Sequence, residues 1–243
     1  MAKATKGKSK KILSEASYKF LRKYINTPSP TGFESGGQKL WMDYIKPHVD
    51  EMFTDAYGSA AGIINPTEKF KVVIEAHADE ISWFVNYISD AGLIYVKRNG
   101  GVDHQIAPAK RVLIHGKKGA VKAVFGWPAI HTRMGGGERK DPQPSVENLF
   151  LDCGAKNKKE VEALGIHIGA VATYEEGYDE LAYDYIIGRA LDNRVGGFMI
   201  AEVARLLKEN KKKLPYALYV VNAVQEEIGL RGAEMIARKI KPD

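Results

Sequence analysis

Two short apolar runs constrain this chain most: Phe70–Ala76 (FKVVIEA) and Leu218–Val224 (LYVVNAV), each ending abruptly in polar residues. Runs this short and rich in branched side chains predict strands covered on both faces. The polar segments that follow them are His77-Ala78-Asp79-Glu80 and Gln225-Glu226-Glu227. In open α/β sheets, ligands bind beyond the carboxyl ends of strands, so position alone marks both segments as candidate site residues. A third polar segment, Gly188-Arg189-Ala190-Leu191-Asp192-Asn193-Arg194, leads into a helical pattern with Ile200, Val203, Ala204 and Leu207 on one face.

Around these runs the chain punctuates itself. Leu13, Ala16, Phe20, Leu21 and Tyr24 recur at helical spacing, so residues 12–26 predict an amphipathic helix, stopped by Pro28 and Pro30. A second helix is expected over Gly37–Ile45, and a last one from about Leu230 to Ile240. Two short strands, near Met52–Tyr57 and Ala60–Ile64, turn at Gly58-Ser59. From Trp83 to Tyr185 the texture changes. Short apolar runs (Leu93–Val96, Val112–Ile114, Ala120–Phe125, His167–Thr173) alternate with Gly, Pro and charge, which suggests a small β-rich domain, a partly closed barrel. Met134–Pro144 (MGGGERKDPQP) reads as a long exposed loop. The expected organisation is a basic disordered tail (1–11), an α/β unit in two pieces (12–82 and 186–243), and an inserted β-rich domain (83–185).

The net charge of +6 suggests nucleic acid until it is located. Lys3, Lys6, Lys8, Lys10 and Lys11 stand in the tail with no acid before Glu15; without these five, 31 basic residues face 30 acidic ones. Such a tail is ordinarily solvated, and no nucleic-acid partner is expected. No stretch approaches the roughly 18 uninterrupted apolar residues of a membrane span. One cysteine, Cys153, excludes an internal disulfide and fits a reducing compartment, so the cytoplasm is the expected location.

Each polar cluster has a plain reading beside a chemical one. His77 and Asp79 alternate with Ala78, so both side chains can face one way, as when a carboxylate orients a metal-binding imidazole; a hydrogen-bonded loop histidine has the same signature. Asp192 suits a bridging carboxylate or a helix N-cap. Glu226 and Glu227, adjacent on extended chain, would point in opposite directions, one toward metal and one toward a proton, or simply form an exposed turn. Together the clusters offer imidazole and carboxylate but no thiolate, a donor set suited to zinc, cobalt or manganese. Paired ions sharing a carboxylate are a recurrent hydrolytic device.

Pro28–Glu34 (PSPTGFE), His77–Ile81 (HADEI), Gly188–Arg194 (GRALDNR) and Val224–Gly232 (VQEEIGLRG) stand in the order and spacing of one family. The chain resembles the tetrahedral aminopeptidases, also called glutamyl aminopeptidase or endoglucanase-M-like metallopeptidases, from about Leu13 onward. The resemblance implies a three-layer α/β catalytic domain with a mixed sheet, interrupted by a β-barrel-like domain that mediates subunit contacts. It implies two divalent ions, zinc or cobalt, with His77 and Glu227 as ligands of different ions and Asp192 bridging them. Glu226 would be the general base and Asp79 the acid orienting His77, with a cis peptide at Asp192–Asn193. Peptides would be substrates and a tetrahedral dodecamer the assembly. Family members also continue further, through another aspartate ligand on the next strand and a histidine ligand, so the C-terminal part is expected to be missing and the chain to be an inactive fragment. The absent strand is expected beside those leading to His77 and Glu227. Two other classes stay open: a glycoside hydrolase using the carboxylates, and a non-catalytic assembly module.

Overall fold

The computed structural model describes residues 13–133 and 143–243; the basic tail and most of the Met134–Pro144 loop lie outside them. Helix α1 (Glu15–Asn26) starts where the Ser14 side chain accepts the Ser17 amide, and it buries Phe20, Leu21, Tyr24 and Ile25. Helix α2 (Ser35–Ile45) buries Trp41, whose indole N–H donates to the Gly197 carbonyl at 2.8 Å. Strands β1 (Glu51–Thr54) and β2 (Ala60–Ile64) pair antiparallel. Asp55 Oδ1 accepts the amides of Tyr57, Gly58 and Ser59, so a side-chain turn ends β1 earlier than expected.

After β3 (Lys71–His77) the chain builds a closed six-stranded barrel. Its strands are β4 (Ser82–Ile88), β5 (Ile94–Asn99), β6 (Arg111–Gly116), β7 (Gly119–Gly126), β8 (Phe150–Asp152) and β9 (Val171–Tyr174), in the order β4-β5-β8-β7-β6-β9. Short helices α3 (Ile130–Arg133) and α4 (Lys158–Ala163) lie in its connections. Trp83, Val85, Ile94, Ile114, Phe125 and Leu151 fill the barrel, which has a core of its own. The hairpin β10 (Asp179–Glu180) and β11 (Ile186–Ile187) then returns to the helical layer, where Arg22 pairs with Glu180 and Tyr178 packs on the α1 core. Helix α5 (Leu191–Glu209), strand β12 (Ala217–Ala223) and helix α6 (Arg231–Ile240) complete the chain.

The second sheet runs β1-β2-β12-β3, with β12 antiparallel to β2 and parallel to β3. Alternation along β12 sends Leu218 and Val220 toward α1, α2 and α5, while Val221 and Ala223 face α6. The result is a mixed sheet between two helical layers. Strand β12 is buried as expected, but β3 is not covered on both faces: Val72, Val73 and Ile74 are half-buried, and Phe70 falls outside the strand, 56% exposed. Among the described residues β12 is its sole neighbour in the sheet, and an apolar run does not reveal how many neighbours a strand has.

The buried face of α5 also departs from its apolar pattern. Val203 is 39% exposed, whereas Glu202 and Arg205 are buried. Arg205 forks onto Glu202 at 3.0 and 2.7 Å, and the Tyr44 hydroxyl donates to Glu202 as well. Burial opposes the Glu202 charge, but Arg205 and Tyr44 outweigh it and hold the carboxyl below its ordinary range. A carboxyl depressed by folding stabilises above its unfolded pKa and loses that contribution as pH falls through the folded value. Glu202→Gln should therefore cost about 1.5–3 kcal/mol at neutral pH. In paired denaturant melts, the deficit should shrink below about pH 4.

Candidate metal centre

Parallel pairing puts His77 level with Ala223, so β3 and β12 end together and release their polar segments side by side. The Ala78 amide donates to the Ala223 carbonyl at 2.7 Å, extending the register one step past the strand. There the side chains of His77, Glu226 and Glu227 bring one ligand atom each to within 4.8 Å of one another. Asp192 Oδ1 stands 3.3 Å from His77 Nε2 on a side chain 92% exposed, outside that triple but against its imidazole. Glu226 Oε2 is 3.7 Å from the same nitrogen.

Asp79, fully buried, organises the group. Its carboxylate lies 3.4 Å from His77 Nδ1 and accepts the Thr31 hydroxyl at 2.8 Å and the amides of Glu226 and Glu227 at 3.0 and 3.2 Å. Burial alone would raise Asp79, but these donors prevail and keep it below the usual carboxylate range. Burial likewise opposes a charge on His77, yet Asp79, then Glu226 and Asp192, push its pKa up to about 9. Burial also raises Glu227, with neighbouring Asp79 and Glu226 adding to it, while His77 and the Gly101 amide work the other way.

Two local expectations are corrected. Glu226 and Glu227 do not diverge on extended chain: Gln225 takes φ +55° and the backbone turns, so both carboxylates come to His77. The first turn of α5 is irregular, with Asp192 and Asn193 outside helical φ/ψ; the regular helix beyond it is capped by Asn193, whose Oδ1 accepts the Gly196 amide at 3.1 Å, while Asp192 faces the histidine. The Asp192–Asn193 peptide is cis. Asn193→Ala should cost about 1 kcal/mol in a denaturant melt, the usual worth of an N-cap.

Several supports carried no role in the sequence reading. Arg189 donates to Glu80 at 2.9 Å in a nearly buried ion pair, and Glu80 accepts the Ser29 amide at 2.7 Å, which fastens three of the motif segments together. Thr31, Glu80 and Arg189 lay inside the quoted motifs, but only tertiary packing gives them partners. Of the remaining histidines, His115 faces the Thr173 hydroxyl at 3.0 Å and His167 the Ile168 carbonyl at 2.8 Å; neither joins the cluster. One imidazole among three carboxylates, with its other nitrogen held by Asp79, is a donor set that fits a borderline divalent cation.

Residues 58–243 match the profile of the M42 glutamyl aminopeptidase family. The chain is 32% identical to a putative aminopeptidase FrvX of Escherichia coli (strain K12), over 92% of this chain and 61% of that protein. A TET aminopeptidase from the marine sediment archaeon Thaumarchaeota archaeon SCGC AB-539-E09 superposes with a TM-score of 0.89 at 26% identity, covering 95% of this chain and 64% of that one. The Pyrococcus horikoshii TET1 peptidase, which can assemble into a tetrahedron or a large octahedral shell, gives a TM-score of 0.82 at 25% identity, over 93% of this chain and 66% of that one. The chain thus spans less than two thirds of the first two relatives. No helix among the described residues is long and apolar enough to cross a membrane.

Proposed function

This chain belongs to the M42 glutamyl aminopeptidase family, and from that premise we propose that it carries one side of a dinuclear-metal site that removes residues from the N-termini of peptides. The observation behind the reading is the convergence of His77, Glu226 and Glu227 at two strand ends that the sheet holds in parallel register. In this reading His77, Glu227 and Asp192 would hold the divalent ions, zinc or cobalt, with Asp192 the carboxylate they would share. Bound divalent ions supply Lewis-acid polarisation of a carbonyl and lower the pKa of water. Glu226 takes the proton of the attacking water and returns it to the departing amine. Asp79 holds the Nδ1 side of His77, so that Nε2 faces the carboxylates. Their negative charge suits the cationic amino terminus of a peptide. On the same premise, the assembly is a homo-oligomeric shell, a tetrahedral dodecamer, acting in the cytoplasm.

The test is release of free amino acids by a chain extended to the length of its relatives. Release should vanish with a chelator and return with zinc or cobalt. Residues 1–243 alone should turn over poorly, because the relatives carry further chain. Release that survives complete metal removal would sink the mechanism, and sugar release from glucans would favour a glycoside hydrolase. Binding itself is read in a melt. Zinc at about 100 times its dissociation constant should stabilise the protein by about 2.7 kcal/mol, and His77→Ala should abolish the shift.

A further inference from the structure

The end of β5 reaches from the barrel to the acidic cluster. Asn99 is buried and pairs in register with Ser82 across the barrel wall. Its Nδ2 donates to Ser82 Oγ at 2.8 Å and to the Thr31 carbonyl at 3.0 Å. Thr31 in turn donates to Asp79. Gly100 follows at φ +79°, so close to the site that a Cβ there would lie 2.9 Å from Glu227 Cβ and 3.3 Å from Ile81 Cγ2. A Cβ on Gly101 would sit 3.8 Å from the Glu227 carboxylate, at Oε2. Glu227 thus has Asp79 on its backbone amide and the barrel segment against its side chain.

We propose that Asn99-Gly100-Gly101 is a positioning element for Glu227, through which the barrel wall sets where that carboxylate stands when it receives a divalent cation. The inference rests on the reading of Glu227 as a ligand. A side chain at Gly100 must push Glu227 from its place, because its backbone neighbours on β5 are fixed in the barrel ladder. Groups that orient metal ligands typically change affinity by about 10- to 100-fold when altered.

The experiment is cobalt(II) titration of the chain extended to the length of its relatives, followed by calorimetry and by the visible absorption of the bound ion. Gly100→Ala should weaken cobalt binding by about 10- to 100-fold and alter the spectrum. Gly119→Ala is the control for backbone strain, since Gly119 has φ +114° and nothing within 4 Å of its Cβ position; it should bind as the parent does. Unchanged affinity and spectrum in Gly100→Ala overturn the proposal, as does an equal loss in Gly119→Ala. If Gly100→Ala does not fold, Asn99→Ala decides: a weaker, spectrally altered site supports the proposal and an unaltered one overturns it. A parent chain that takes up no cobalt overturns the metal reading itself and this inference with it, a failure distinct from loss of the Gly100 effect alone.

Discussion

Glu226→Gln in the extended chain should lower kcat for peptide hydrolysis by roughly 100- to 10,000-fold, the range in which a positioned acid–base group contributes. Glutamine keeps the size of the side chain, and the Glu226 backbone amide remains on Asp79 at 3.0 Å, so neither the turn nor its anchor is disturbed. What disappears is the group that accepts and returns the proton. KM should move far less than kcat, because the interaction matters in the transition state rather than in binding. Cobalt uptake and melting temperature should stay near those of the parent, which separates lost chemistry from lost metal. Steady-state kinetics and cobalt titration on one preparation check both halves. A variant with parental kcat would move the base from Glu226 to another group.

Arg194→Ala should cost about 3–5 kcal/mol of stability, the loss of two hydrogen bonds from a charged donor at about 1.5–3 kcal/mol each. Arg194 is 0% exposed. Its guanidinium lies 3.9 Å from the centroid of the Tyr24 ring and donates to the carbonyls of Tyr24 at 2.7 Å and Thr27 at 3.2 Å. Both carbonyls belong to the C-terminal end of α1, where a cation is favoured, so one side chain of α5 caps and covers a neighbouring helix. Truncation would strand the Thr27 carbonyl, leave the Tyr24 carbonyl with the Thr27 amide at 3.3 Å, and open a cavity over Tyr24, whose hydroxyl accepts from Asn222 at 2.8 Å. Arg194→Lys should recover only part of the loss, since a compact ammonium cannot both stack on the ring and serve two carbonyls through a planar fork. Urea melts of the three proteins give the comparison. Because Arg194 begins just beyond Asp192, the alanine variant should also loosen the approach of Asp192 to His77, visible as weaker cobalt binding.

Sequence alone marked the main strands and helices of the α/β unit and the β-rich texture of the barrel region, and where the polar residues leave them; β4, β8, the β10–β11 hairpin, α3 and α4 were not read from it. Phe70–Ala76 and Leu218–Val224 declared themselves by short branched runs, the helices by spacing of about 3.6 residues, and the barrel region by frequent turns. Local pattern carries that information because the backbone period decides which side chains share a face. It also marked His77, Asp79, Asp192, Glu226 and Glu227, since each lies where a run ends or a helix starts. What covers a face, and what stands beside it, is a long-range property that no period encodes. Only tertiary structure decided that β3 lies half-buried with β12 as its one sheet neighbour among the described residues, and that their parallel register brings His77 level with Ala223. Only there does Gln225 turn Glu226 and Glu227 to one side, and Asn193 take the cap that Asp192 had seemed suited to. Glu202 and Arg205 stand off the apolar face read for α5, and only Tyr44 and their mutual fork account for their burial. Gly100 and Gly101 gave no signal at all, because their nearness to Glu227 exists only once the barrel is closed and seated against the sheet.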